Sequence, residues 1–293
     1  MDHNTIRAIY SESDRARDKG LTVPEDIIRY NDISYGPHGK WNLLDIYRPR
    51  AASDTVSPVI VSVHGGGWVY GDKDLYQYYC MDLAQKGFAV VNFSYRLAPE
   101  DPFPAAVEDV NSVFCWLADH AEEYGIDLER LYTVGDSAGG QLSSQYIAML
   151  TNPECAELYG FQIPADRIRV RAAAFNCGYF QTDSDTGSDE KAAVEFRAYL
   201  GENWRSKLPM IDTLRYITSA YPPSFVMTSY YDSLKDQALL LCQRLQEQGV
   251  PFEYRLYGAE GQDYMAHVFH LNIRLPEAKM CNQEECDFFL AYS

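Results

Sequence analysis

Six runs along the chain carry apolar residues at consecutive positions, as strands buried on both faces do: PVIVSVHG, FAVVNFSY, RLYTVGD, RVRAAAFN, SFVMTSYYD and FEYRLYG. The segments between them have the spacing of amphipathic helices at residues 76–86, 105–124 and 234–248, and again from Pro276 onward. Buried strands that alternate with helices predict a parallel sheet with helices on both faces.

The first part of the chain has a different pattern. Residues 1–30 are polar and compatible with a helix. Two strand-like runs follow, NDISYG and NLLDIYRP, with the turn signal GPHGK between them, which predicts an antiparallel hairpin at the sheet edge. Together with the later runs, this hairpin predicts an α/β fold built on a mostly parallel sheet of eight strands.

The domain organisation is predicted from the segments that break the alternation of strands and helices. No internal repeat or low-complexity linker stands out, so we expect residues 1–293 to form a single domain. Residues 177–222 are too many for an ordinary loop, and they contain the acidic TDSDTGSDEK and the helix-compatible AAVEFRAYLGENW. We therefore predict a small cap made of the N-terminal segment 1–30 and of an inserted lid, residues 177–222.

Composition and charge limit the partners. Hydrophobic residues make up 46% of the 293 positions, enough for a large core. A formal net charge of −17 repels polyanions, which argues against nucleic acid and anionic membrane surfaces. No run approaches the ~18 apolar residues of a membrane span, and the charged N-terminus lacks a signal-peptide core. We expect a cytoplasmic protein without membrane insertion. The sequence is compatible with a homo-oligomer as well as with a monomer.

Seven cysteines are scattered over the chain. Their spacings fit neither a zinc site nor a CxxC redox pair. We expect buried, reduced thiols that pack as small hydrophobic groups, and no bound metal.

A serine between two glycines, in TVGDSAGGQLSSQYIAML, is the first candidate for chemistry. The pattern GxSxG at residues 135–139 follows an apolar strand and precedes a helix-compatible segment, which suits a sharp turn that projects Ser137 from the sheet. A helix N-terminus beneath Ser137 would stabilise developing negative charge. A serine that only caps the helix accounts for the pentapeptide as well, so other segments must decide.

A nucleophilic serine needs a base, and only two histidines follow Ser137 in the chain, His267 and His270. Both come after the last core strand, FEYRLYG, where a loop should reach the same sheet edge as the serine. We prefer His267, because His270 lies where the next packed segment begins.

The base needs a carboxylate that orients it, and Asp232 ends the strand SFVMTSYYD at that same edge. Asp236 would lie one turn into the following helix, and Asp263 is close in sequence to the histidine. Asp232 therefore ranks first, although it would also suit the N-cap of that helix.

The segment HGGGW ends an apolar strand with three glycines, whose backbone amides can turn toward a ligand. The amides of Gly65, Gly66 and Ala138 would form an oxyanion hole beside the serine. A phosphate-binding loop is the alternative, but GxGxxG and the P-loop lysine are absent from the sequence. His64 suits a structural hydrogen bond that shapes this loop.

Four segments together resemble the hormone-sensitive-lipase-like branch of the α/β-hydrolase superfamily: HGGGW, YRLAPEDPFPAAVEDV, GDSAGG, and YYDSLKDQA with the later AHVF. The similarity covers roughly residues 33–293. It implies the α/β-hydrolase fold, Ser137 as nucleophile, Asp232 as acid, His267 as base, and Gly65, Gly66 and Ala138 as oxyanion donors. The chain departs from the family in having TSYYD, where a glycine often precedes the acid, and HVF, where HGF is common.

The resemblance implies a serine carboxylesterase that hydrolyses short-chain, acetyl-type esters of small molecules through an acyl-enzyme, without metal or organic cofactor. An arylformamidase or a carbohydrate acetyl esterase would use the same triad, and a non-catalytic binding protein on this fold is a further alternative. We assign the substrate pocket to Trp68, Asp136, Tyr179 and Phe180. The lid aromatics, which also include Phe196, Tyr199 and Trp204, would equally suit a hydrophobic core of the lid.

Overall fold

The structure is a computed structural model that describes residues 2–182 and 190–293. Much of the acidic, Ser/Gly-rich part of the predicted lid, residues 183–189, therefore lies outside the described residues.

Eight strands form one sheet in the order β1-β2-β4-β3-β5-β6-β7-β8. β1 pairs antiparallel with β2 and β2 antiparallel with β4, whereas the other neighbours are parallel. The predicted edge hairpin and the mostly parallel sheet are thus confirmed. The bounds are β1 Ile27–Ser34, β2 Leu43–Pro49, β3 Ser57–Val63, β4 Ala89–Phe93, β5 Ile126–Asp136, β6 Val170–Asn176, β7 Ser224–Ser229 and β8 Phe252–Tyr257.

The described chain contains helices on both sides of the sheet, and the first two begin directly after an aspartate. Asp2 and Asp72 accept backbone N–H groups in the first turns of α1 and α2, as N-caps do. The bounds are α1 His3–Asp18, α2 Lys73–Gln85, α3 Ala105–His120, α4 Ala138–Thr151, α5 Pro153–Glu157, α6 Glu190–Leu200, α7 Trp204–Ile211, α8 Lys235–Glu247 and α9 Pro276–Ala291. Within the described residues, no helix has the length and apolar character needed to cross a membrane.

The core lies on both faces of the sheet, because successive side chains of a strand point to opposite faces. In β3, Val59 and Val61 join the apolar cluster that contains residues of α3, α4 and α8. Ile60, between them, joins the cluster formed with α2 and α9. Every residue of β3, β4 and β7 is buried, which confirms the prediction of strands covered on both faces for these runs. The prediction is wrong for FEYRLYG, because β8 lies at the edge of the sheet and only Tyr257 of this strand is buried.

The helices α6 and α7 lie within residues 177–222, the segment predicted as a lid. α6 packs on the N-terminal helix α1: the Tyr10 hydroxyl donates to Glu195 Oε1 at 2.8 Å, and Lys191 Nζ lies 4.7 Å from the centre of the Tyr10 ring. The N-terminal helix and the segment predicted as a lid are therefore in direct contact.

Candidate active site

Ser137 lies in the sharp turn between β5 and α4, with φ 51° and ψ −120°. A residue other than glycine seldom adopts positive φ, and such strain concentrates at functional sites. A Cβ at Gly135 would collide with the carbonyl of Gly139, and a Cβ at Gly139 would collide with the backbone at Val63. The two glycines of GxSxG are therefore required by close backbone packing. Ser137 makes no capping bond from its side chain within the described structure, so the helix-cap alternative is wrong.

The structure brings Ser137, His267 and Asp232 together, although 130 positions separate the serine from the histidine. His267 Nε2 lies 3.0 Å from Ser137 Oγ, and His267 Nδ1 lies 2.7 Å from Asp232 Oδ1. A parallel β-bridge between Tyr231 and Ala266 fixes the residues directly before the acid and the histidine. This bridge extends the pairing of β7 and β8 and so aligns the two side chains.

Asp232 is buried, and both of its carboxylate oxygens accept hydrogen bonds. Its Oδ2 accepts from Thr228 Oγ1 at 2.7 Å, and its Oδ1 accepts from the backbone N–H of Leu234 at 2.9 Å. Burial raises the pKa of Asp232, but the bond and charge of His267 and these two donors outweigh burial, and the pKa falls below its ordinary value. Asp232 is therefore held as a carboxylate beside the imidazole.

The alternative candidates lie elsewhere. His270 is fully buried against the ring of Tyr79, and burial lowers its pKa to about 3. Asp236 in α8 and Asp263 in the histidine loop are both exposed. Neither these carboxylates nor His270 contacts Ser137 in the described part of the chain.

The glycine loop differs from the prediction at its first residue. The Gly65 N–H donates to the Tyr76 hydroxyl at 2.9 Å, and that hydroxyl donates to Asp136 Oδ2 at 2.8 Å. Gly65 is therefore not an available oxyanion donor, and this part of the prediction is wrong. The sequence HGGG does not show which glycine amide is free to bind the oxyanion, because the Tyr76 hydroxyl of α2 occupies the Gly65 amide.

The next two amides of the loop have no protein acceptor among residues 2–182 and 190–293, and the same holds for Ala138. Gly66 has φ 114° and Gly67 has φ 60°, conformations that favour glycine. A Cβ on Gly66 would collide with the carbonyl of Tyr70, and one on Gly67 would lie 2.6 Å from Glu195 Oε1. Gly66 and Gly67 line the cavity beside Ser137, and Ala138 follows the serine directly, so Gly67 is a candidate donor that the sequence prediction did not include.

His64 has the structural place that the sequence indicates. Its ring stacks on Tyr95 with centroids 3.9 Å apart, and its Nδ1 lies 2.8 Å from the carbonyl of Gly65. Burial lowers its pKa to about 4, so the ring is neutral at neutral pH. His64 therefore helps to hold the glycine loop in place through its contact with the Gly65 carbonyl.

A cavity of about 340 Å³ adjoins Ser137. Asp136 lines it, as predicted, and so does His267. Much of the remaining wall comes from α1 and the segment after the glycines, with one lid residue: Ile9, Tyr10, Ser13, Asp14, Tyr70, Gly71, Tyr76, Lys191, Val268 and Leu271. Among residues 2–182 and 190–293, the N-terminal segment therefore contributes more of this wall than the predicted lid does.

The other predicted pocket residues do not line this cavity. Trp68 is buried, stacks on Tyr199 with centroids 4.9 Å apart, and donates from its indole nitrogen to Gln141. Phe180 is fully buried, and Tyr179 packs its ring edge against Trp68. The assignment of these three aromatics to the pocket is therefore corrected: they belong to the core between the lid and the sheet.

Comparison with known proteins identifies the family of the chain. A family model described as the alpha/beta hydrolase fold matches residues 60–271. Esterase LipI of Mycobacterium tuberculosis is 31% identical over 247 residues, which are 82% of this chain and 76% of that protein. An acetyl esterase of Salmonella schwarzengrund is 27% identical over 260 residues, covering 84% of this chain and 75% of its own.

Among solved structures, esterase B from Lactobacillus rhamnosis, inhibited by a tributyrin phosphonate, superposes with a TM-score of 0.88 at 26% identity. The match covers 99% of this chain and 94% of that one. The family match spans most of the chain and confirms the resemblance that the four sequence segments indicated. The chain belongs to the α/β-hydrolase fold family.

Proposed function

We propose that the protein is a serine carboxylesterase that cleaves short-chain acyl esters through an acyl-enzyme. One observation carries the proposal: Ser137 Oγ, the His267 imidazole and the Asp232 carboxylate form a continuous chain of contacts at 3.0 Å and 2.7 Å, open to a cavity of about 340 Å³. A serine that only supports the fold does not need this arrangement. The named esterases among the relatives support the same function.

The first step is the attack of Ser137 Oγ on the ester carbonyl. His267 Nε2 takes the serine proton as the Oγ–C bond forms, and the buried Asp232 carboxylate stabilises the resulting imidazolium through Nδ1. Because Thr228 and the Leu234 N–H continue to donate to the carboxylate, it stays ionised while the proton is on the histidine.

The carbonyl oxygen becomes an oxyanion in this step. The amides of Gly66, Gly67 and Ala138 would donate to it, and the N-terminal end of α4 adds a favourable dipole. Loss of one preorganised donor of this kind costs about 3 to 4 kcal/mol of transition-state stabilisation. Both glycines line the cavity beside Ser137, which supports this role.

Collapse of the tetrahedral intermediate breaks the bond to the alcohol, which leaves with the proton held by His267. Water then attacks the acyl-enzyme, gives a proton to His267, and releases the acid as Ser137 regains that proton. Each step uses side chains and amides of the chain itself.

Short acyl groups suit the site because the cavity is near the lower end of small-molecule pockets, which are about 300 to 1,000 Å³. The acetyl esterase relative and the tributyrin phosphonate on esterase B support this preference. A carbohydrate acetyl ester is the second candidate, because Ser13, Asp14 and Lys191 give the wall hydrogen-bonding groups for a polyhydroxy alcohol.

The test is the rate of hydrolysis along a series of p-nitrophenyl esters from acetate to dodecanoate, with acetylated xylose and N-formylkynurenine as further substrates. The proposal predicts the highest kcat/KM at acetate to butyrate. A maximum at long chains would contradict the short-chain preference. Activity on N-formylkynurenine but on none of the esters would favour an amidase.

A further inference from the structure

Cys177 lies beside the pair formed by Asp232 and His267. The three residues follow β6, β7 and β8, neighbouring parallel strands whose carboxyl ends meet at one edge of the sheet. Cys177 Sγ, a carboxylate oxygen of Asp232 and a ring nitrogen of His267 all lie within 4.8 Å of one another. Among the residues that the structure describes, this is the one group of three or more His, Cys, Asp or Glu side chains that brings potential metal ligands together.

The position of Cys177 is held by its backbone. It has φ 52°, and its N–H donates to the carbonyl of Met227 in β7 at 2.7 Å. The loop after β8 is fixed as well, because Ala266, directly before His267, forms a parallel β-bridge with Tyr231. Three separate loops are thus fixed around one point before any ligand arrives, which lowers the cost of ordering a site.

We propose that Cys177, Asp232 and His267 bind one zinc-like divalent cation, and that this binding switches the triad off. The inhibitory consequence rests on the esterase function proposed above, whereas the binding itself does not.

The donor set selects the class of ion. A thiolate, an imidazole and a carboxylate together suit Zn²⁺, Co²⁺ and Cd²⁺, whereas Mg²⁺ and Ca²⁺ prefer oxygen ligands alone. Tetrahedral Zn²⁺ with these donors would hold them about 3.4 to 3.6 Å apart. His267 Nδ1 and Asp232 Oδ1 are 2.7 Å apart now, and the sulfur is within 4.8 Å of both residues' ligand atoms, so modest shifts of the side chains suffice.

The charges of the ionised donors match those of a divalent cation. Cys177 and Asp232 are both buried, so a thiolate beside the carboxylate is costly without a cation. The two positive charges of the cation balance the single negative charges of the thiolate and the carboxylate. The His267 side chain is 32% exposed and lines the cavity, so of the three ligands it is the one that solvent reaches.

Inhibition follows from proton balance. The ion bonds to Sγ, Asp232 and His267 Nδ1; the thiol proton goes to solvent, and the Nδ1 proton moves to Nε2. His267 Nε2 then carries a proton and points it at Ser137 Oγ, so it cannot accept the serine proton. One proton is released for each ion bound.

Cobalt(II) is the probe, because a thiolate ligand adds a charge-transfer band in the near ultraviolet. We expect this band to saturate at one equivalent of Co²⁺, to disappear on addition of Zn²⁺, and to rise in parallel with loss of p-nitrophenyl acetate hydrolysis. Cys177→Ala should lose the band and require at least about tenfold more Zn²⁺ for half-inhibition, measured against its own metal-free rate. Circular dichroism checks that the variant is folded.

Cys115→Ala is the matched control, since Cys115 is a partly buried thiol in α3, away from the triad; it should keep the band and the inhibition. Ser137→Ala should also keep the band, which separates metal binding from hydrolysis. A band without any esterase activity would leave the metal site standing and overturn the proposed function. Cobalt binding to the unchanged chain without the thiolate band, or equal zinc inhibition in Cys177→Ala, would overturn the metal site.

Discussion

The hydroxyl of Tyr76 donates to Asp136 Oδ2 at 2.8 Å in the buried space behind Ser137. The same hydroxyl accepts the N–H of Gly65, so one side chain of α2 joins the serine turn to the glycine loop. Burial raises the pKa of Asp136 to about 7, and the Tyr76 bond partly offsets this rise. The glycine loop is therefore tied to the serine turn by a hydrogen-bond network whose members, Gly65, Tyr76 and Asp136, also line the cavity.

Replacement of Tyr76 tests this network. Tyr76→Phe removes the bond to Asp136 and leaves the Gly65 amide unpaired, so we expect the free energy of unfolding to fall by about 1 to 3 kcal/mol. We also expect kcat/KM to fall about ten- to hundredfold, since small displacements of catalytic donors are costly. Tyr78→Phe on the same helix is the control, because the Tyr78 hydroxyl donates to the carbonyl of Leu21 instead. Equal effects in the two variants would refute a special role for Tyr76.

The third glycine of HGGGW is predicted to matter for the transition state. Gly67→Ala places a methyl group 2.6 Å from Glu195 Oε1 at a φ of 60°, which should turn the amide away from the oxyanion. We expect kcat to fall about 10²- to 10³-fold with little change in KM. Gly20→Ala is the control, since it also has positive φ but meets no atom within 4 Å. A change confined to KM would contradict the oxyanion role.

The wall formed by α1 predicts a change in substrate preference. Ile9 lines the cavity and is 52% exposed, so Ile9→Trp narrows the site without disturbing the core. We expect KM to rise several-fold for butyrate and longer esters and to change less for acetate, with stability within about 0.5 kcal/mol of the unchanged chain. Val23→Trp, at an exposed position outside the cavity wall, should leave both KM values unaltered.

Buried carboxyl groups predict how stability depends on pH. Burial raises the pKa of Asp136 from 3.8 and that of Glu285 from 4.5, in both cases to about 7. Between about pH 4 and 7 the folded protein therefore holds protons that the unfolded chain has released, so stability should fall as pH rises through this window. Glu285→Gln keeps an acceptor for the Tyr79 hydroxyl but cannot titrate. We expect the free energy of unfolding of this variant to fall less between pH 4 and 7, by a difference of at most about 3 kcal/mol.

Urea unfolding at a series of pH values measures this dependence. The exposed Glu122→Gln is the control and should follow the unchanged chain. An unchanged slope in Glu285→Gln would show that the buried carboxyl does not contribute.

The strands could be predicted from the sequence because apolar side chains at consecutive positions are stable only where both faces of the strand are covered, as in β3. His267 was preferred over His270 because the loop after the last strand was expected to end before His270. The contact between His267 Nε2 and Ser137 Oγ agrees with this choice. The glycine donors were misplaced by one residue, because only the packing of Tyr76 reveals which amide is already bonded. The tertiary position of α1 likewise has no local signal, so Ile9 and its neighbours were missed.

Trp68 shows a different limit. An aromatic residue after a glycine loop suits a pocket wall and a core equally well, and composition cannot separate the two. Stacking on Tyr199 and the bond to Gln141 place it in the core.

The most direct measurement is covalent labelling with a p-nitrophenyl butylphosphonate ester, followed by mass spectrometry of the peptides. We predict release of one equivalent of p-nitrophenol and one phosphonyl group on Ser137, because His267 activates that hydroxyl at 3.0 Å. Ser137→Ala, with an unchanged circular dichroism spectrum, should take up no label and lose p-nitrophenyl acetate hydrolysis. Equal labelling of Ser137→Ala, or label on a different residue of the unchanged chain, would contradict Ser137 as the nucleophile.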